Sequence, residues 1–233
     1  MKIRIKFEKD GVMRYIGHLD IMRYFQKAIR RAEIDIKYST GFSPHQIMSF
    51  AAPLGVGHIS YGEYLDIEVN SHNGKPNMME CLNAAMVPGV RITNVVELPE
   101  NVGNAMASVA AARYKVELKN PDEMRTDFIG LTDSFLGQDE ILVTKQTKKQ
   151  ELTINIKPYI FEWLPYENGV EMFVDASSSN NVKPALAMEA FCKFAGVEFD
   201  PVKYQITRID TYLNIGSDKA PDFKPLDYVG NDF

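Results

Sequence analysis

Side chains able to do chemistry are densest between residues 14 and 57, in RYIGHLDIMRYFQKAIRRAEIDIKYSTGFSPHQIMSFAAPLGVG. Gly17-His18 stands where a helical apolar pattern begins. Unpaired backbone N–H groups and the helix dipole there favour a phosphate or carboxylate. Arg14, just ahead, reaches the same place, and Asp20 suits the first turn of a helix. Arg23, Lys27 and Arg30 recur at i, i+4 and i+7 and line one ridge. The stretch Tyr38-Ser39-Thr40-Gly41-Phe42-Ser43-Pro44-His45 follows a strand-like segment and offers aromatic rings, hydroxyls and an imidazole. Stacking, charge and hydrogen bonding are what unpaired bases and their phosphates require. The candidate RNA or anion contacts are therefore Arg14, His18, Arg23, Lys27, Arg30, Tyr38, Ser39, Phe42 and His45. Lys148, Lys149 and Arg208 extend the same set.

Each signal has a plainer alternative. A row of basic residues is also what a solvated helix face looks like. Tyr15, Tyr24 and Phe42 also suit packing, and His18 also suits a structural role. His18 and His45 are the candidates for acid/base work in a metal-independent endoribonuclease. No metal is expected, because His18, Asp20 and His45 match no zinc spacing. No cofactor is expected either: Gly41, Gly55 and Gly57 fit neither the phosphate-loop nor the dinucleotide pattern. Glu63 and Asp66, three apart on a strand, face opposite sides and make no catalytic pair. The third reading is a protein-interaction module whose basic helix meets an acidic partner and never RNA.

The elements that must carry these residues follow from periodicity. Residues 2–8, KIRIKFE, alternate as a half-buried strand. Leu19, Met22, Phe25, Ile29 and Ala32 then recur at helical spacing. Strands are expected at 34–38, 63–69 and 90–98, a short extended stretch near 47–50, and a helix at 76–86. The order βαββαβ indicates a ferredoxin-like unit over residues 1–98. A linker is expected at 99–111. Residues 112–213 repeat the order, with strands at 113–118, 141–145, 152–156, 160–164, 170–174 and 204–213 and helices at 121–136 and 184–195. The fold class is thus α+β, two tandem ferredoxin-like units, the second with an extra hairpin. Residues 214–233 read as a loose polar tail.

With 233 residues, 45% of them hydrophobic and 24% charged, the chain has the composition of a globular protein rather than a disordered one. Net charge is −5, yet residues 1–50 hold ten Lys/Arg against five Asp/Glu, so any polyanion site is local to them. Two distant cysteines, Cys81 and Cys192, exclude a disulfide framework and a cysteine-ligated cluster. No apolar run is long enough to cross a membrane, and the N-terminus lacks a signal-peptide core. A cytoplasmic location is expected.

The run R-Y-I-G-H-L-D-x-x-R at 14–23, then A-I-R-R-A, Y-S-T-G-F-S-P-H, P-L-G-V-G and G-E-Y-L-D-I, resembles the radical-SAM-associated domain of unknown function. This bacterial family occurs alone or as a C-terminal extension of radical SAM proteins. I-N-I-K-P-Y-I at 154–160 and I-T-R-I-D-T-Y-L at 206–213 resemble its later motifs. The resemblance implies a radical SAM partner and work on rRNA or tRNA. The chain has no CxxxCxxC motif, so the cluster would belong to that partner. Tandem ferredoxin-like units also resemble CRISPR repeat-processing endoribonucleases in architecture, but their glycine-rich loop before the last strand is missing here, where Gly196 stands alone. The reading that results is an accessory RNA-binding protein, not catalytic by itself.

Overall fold

The computed structural model describes residues 1–123, 126–146, 151–217 and 219–233. The chain is mixed α+β and divides into two compact units. The first comprises residues 1–110 and 210–233, the second residues 111–209.

The first unit opens with β1 (Lys2–Lys9), whose Ile3, Ile5 and Phe7 are buried on one face. Helix α1 (His18–Arg31) turns Ile21, Phe25, Ala28 and Ile29 to that core. Arg30 and Arg31 in its last turn suit the negative end of its dipole. The helix ends in a Schellman arrangement: Glu33 N–H donates to Arg30 O and Ile34 N–H to Ile29 O. Glu33 takes the left-handed conformation there, φ +54°, where glycine is usual. β2 (Met48–Phe50), β3 (Ile59–Glu68), α2 (Lys75–Ala84), β4 (Val90–Leu98) and the single turn α3 (Ala105–Ser108) follow.

The strands run in the order β4-β1-β3, with β2 beside β3. The pairings are antiparallel: Ile5 lies opposite Leu65 on β3 and Val95 on β4. Phe7, Phe25 and Phe50 meet under α1, with ring centroids 4.7 to 6.1 Å apart.

The second unit contains β5 (Ala111–Leu118), α4 (Phe128–Leu136), the hairpin β6 (Leu142–Gln146) and β7 (Glu151–Asn155), β8 (Ile160–Tyr166), β9 (Gly169–Asp175) and α5 (Pro184–Phe194). The long strand β10 (Tyr204–Asn214) begins in this unit and ends in the first. β9 lies between β5 and β8. Phe128 and Phe135 from α4 and Phe191 from α5 pack with Trp163 and Met172 over this sheet. The chain then returns to the first unit with β11 (Phe223–Pro225), which pairs with residues 212–214.

Four local expectations differ from the structure. Residues 34–38 form isolated bridges, Ile36 to Val69 and Tyr38 to Gln46, rather than a strand. After Lys37 the backbone bonds leave β3 and pass to the following loop. The helix expected at 121–136 is a 3-10 turn at 121–123 and then α4, because the Asp127 carboxylate accepts from Gly130 N–H and starts a helix afresh. Within 99–111 Asn104 caps α3, and Ala105 is fully buried. The terminal segment is not loose. Leu226 is buried, Asp227 binds Tyr64 and Asn94, and Asn231 bridges to Glu97. These partners stand more than 130 residues away in sequence, beyond the reach of any local pattern.

Candidate nucleic-acid interface

Arg23, Lys27 and Arg30 all lie exposed on α1. Arg23 meets Asp20 at 3.3 Å, with both side chains about two-thirds exposed, a contact that leaves its charge largely available. Lys27 makes no hydrogen bond or ion pair among the described residues. Arg30 donates through Nε to Gln26 O at 3.2 Å. Leu19, in the apolar series of the sequence reading, is 62% exposed one turn ahead of Arg23. Ile21 and Ala28 take the inward positions in its place.

The loop beyond α1 is closed at its neck. Tyr38 bridges to Gln46, Ser39 N–H donates to His45 O at 2.8 Å, and His45 N–H donates to Ser39 Oγ at 3.1 Å. Ser39 Oγ also meets His45 Nδ1 at 2.9 Å. The Gln46 amide donates to Gln26 O, the carbonyl that Arg30 uses. The neck is thereby tied to α1 beside Arg30. Beyond it, residues 40–45 are exposed, and the Phe42 ring at the tip is entirely so. Gly41 at φ +115° provides the backbone conformation that the tip needs.

At the start of α1 the arrangement is different. Arg14 sits in a 3-10 turn, Gly11–Tyr15, with its guanidinium over the Tyr15 ring and Nη2 donating to the Tyr15 hydroxyl at 2.8 Å. Its carbonyl accepts from Gly57 N–H. Gly17 is the N-cap and supplies no side-chain bond. His18 packs edge-on against Phe50 and lines a small cleft that it shares with Lys9 and Glu63. The cleft measures about 10 Å³, room for one water at most.

Sequence reasoning passed over Lys9 and weighed Glu63 only against Asp66; the structure sets Lys9 and Glu63 on the same cleft. Lys9 is 2% exposed and donates to Ile16 O at 2.6 Å. Burial pulls its amine below the ordinary lysine value, while the Glu63 carboxylate acts in the opposite direction. The available signal was modest: Lys9 continues the inward series Ile3, Ile5, Phe7 at period two.

The structure therefore sets Arg23, Lys27 and Arg30 on the exposed side of α1 and ties the neck of the loop that carries Tyr38, Ser39, Phe42 and His45 to that helix at Gln26. His18 and His45 share no contact among the described residues. Arg208, read with the surface cations, is 5% exposed in the second unit, where Nε and Nη2 lie 3.3 and 3.2 Å from the Tyr114 hydroxyl. Lys148 and Lys149 lie outside the described residues. No cluster of three metal-ligating side chains occurs among the described residues. No helix among them is long and apolar enough to cross a membrane.

A family model described as an uncharacterized protein conserved in bacteria, DUF2344, matches residues 2–184. The chain belongs to the DUF2344 family. The match takes in α1, its loop and the Lys9–Glu63 cleft, so the candidate interface of this DUF2344 chain lies wholly inside the family region. No curated protein matches the chain.

Proposed function

We propose that this DUF2344 protein is a cytoplasmic RNA-binding accessory protein that presents structured RNA, rRNA or tRNA, to a radical SAM partner. The observation that carries the reading is the exposed row Arg23, Lys27 and Arg30 joined at Gln26 O to a loop of aromatic and polar residues. Three cations over two turns of helix span about 10 Å and suit consecutive phosphates. The partner rests on the motif resemblance alone. The architecture is read as two ferredoxin-like units, supported by the order β4-β1-β3 with β2 paired to β3 in the first unit and the matching place of β9 between β5 and β8 in the second. A ribonuclease built on His18 and His45 has less support, because one ring lines a cleft with room for one water at most and the other is held in the loop neck.

The test is retention of cellular RNA as a function of salt. Wild-type protein is expected to bind with a steep negative salt slope. Arg23→Glu combined with Arg30→Glu is expected to weaken binding and flatten the slope. Retention unaltered by both changes at every salt concentration would remove this face from the function. A partner protein captured equally well after nuclease treatment, with no RNA retained, would replace RNA by a protein contact.

A further inference from the structure

We infer that the loop tip selects unpaired nucleotides: Phe42 stacks on an extruded base of a loop or bulge while Arg23, Lys27 and Arg30 hold the adjoining phosphates. This rests on the RNA reading above and goes further, to strandedness.

Phe42 presents its whole ring to water from a narrow tip. An exposed aromatic at that position gains by covering its face, and every base has a π-face to offer. A paired base has both faces occupied by its neighbours, and the A-form major groove is too deep and narrow for a side chain to reach in. A single ring on a hairpin-like tip therefore finds its complement only where the strand is open.

The neck carries the tip on a closed base. Four contacts between residues 38–39 and 45–46, with the tie to Gln26, hold the two ends of the loop together before RNA arrives. That closure removes part of the ordering entropy that opposes stacking. The neck also sets the imidazole. His45 N–H donates to Ser39 Oγ at 3.1 Å, and Nδ1 lies 2.9 Å from the same Oγ and 3.4 Å from Ser43 O. A polar ring held beside an aromatic tip suits a hydrogen-bonding group of the same nucleotide. The tip itself otherwise offers Thr40 and Ser43 hydroxyls, which accept and donate alike. Selectivity is accordingly for an open strand rather than for one base.

Two RNAs of equal length and charge test this: a fully paired duplex, and a hairpin with an unpaired loop. Binding of each is measured at one fixed salt concentration with the full chain. Wild type is expected to prefer the hairpin about tenfold. Phe42→Ala is expected to bring hairpin binding down to the duplex level, and Phe42→Trp to preserve the preference. Phe42 is wholly exposed, so these variants keep the fold. Equal binding of the two RNAs by wild type, or a preference untouched in Phe42→Ala, overturns the assignment of strand selection to the Phe42 tip and leaves the basic face standing. No binding of either RNA overturns both, and is the outcome expected if Phe42 anchors a protein instead.

Discussion

Arg4, Lys6 and Lys9 on β1 and Arg23, Lys27 and Arg30 on α1 carry the same charge into opposite surroundings. The Arg4 side chain is fully buried, bound twice to the Asp66 carboxylate at 2.7 and 2.9 Å and once to Leu226 O. Asp66 is held in turn by Ala105 N–H. Lys6 meets Asp210 at 2.5 Å, and Asp210 also accepts from the Tyr64 hydroxyl. Burial of a phenol between Asp210 and Asp227 pushes the Tyr64 pKa far above its ordinary value. The α1 cations have no carboxylate beyond the exposed Asp20 among the described residues. A buried cation needs a designed counter-charge because desolvation otherwise removes its charge. An exposed cation needs none and keeps its field for a partner. The basic excess of the first 50 residues is thus two things: one part tied into the architecture, one part turned outward.

Replacing Arg4 should strain this contrast most. Arg4→Ala leaves Asp66 buried without its guanidinium and Leu226 O without its donor. A loss of about 3–5 kcal/mol is expected in urea unfolding. A loss as small as that of a surface substitution would place Arg4 with the outward set.

Lys9 sharpens the contrast through pH. Its amine is depressed in the fold relative to 10.5 in the unfolded chain. Between those two values the unfolded chain binds more protons, so this group's contribution to stability rises with pH, is complete above about 10.5 and is lost as pH falls through the depressed value. Lys9→Met should remove that rise, seen as a flatter stability curve than wild type on the alkaline side of neutrality. Identical curves would mean that Lys9 is solvated like the α1 lysine.

The smallest expected effect lies on the other side. Arg23→Glu with Arg30→Glu should change unfolding free energy by only about 0.5 kcal/mol per site. A loss of several kcal/mol would show that α1 uses these charges to hold itself in place, and the two populations would merge.

Periodicity made β1 and α1 legible, because alternation and a three-four recurrence report which side is apolar. It could not report what lies over the polar side. Lys2, Arg4 and Lys6 alternate like a solvent face, yet Arg4 is buried by Gly103 and Leu226 carbonyls that no local pattern announces. Leu19 shows the converse: its spacing places it with the core, while the helix leaves it in water beside Arg23. The loop at 38–45 was legible as a loop rich in binding chemistry. Its closed neck was not, since that comes from Ser39 meeting His45 across the loop and from Gln46 reaching back 20 residues to Gln26. The Lys9–Glu63 cleft was hidden for the same reason: a strand register shift between Phe7 and Lys9 decides which residues face one another.

The first unit is discontinuous in the chain: it is left at residue 110 and rejoined at 210. Ala110 N–H nevertheless donates to Tyr212 O at 2.8 Å, so departure and return are neighbours. During synthesis Arg4 leaves the ribosome 222 residues ahead of Leu226, which with Asp227 emerges only after all of residues 111–209. The nascent first unit must wait with a charged sheet face uncovered until the ribosome has made the inserted unit, and only then can its closing segment be laid down.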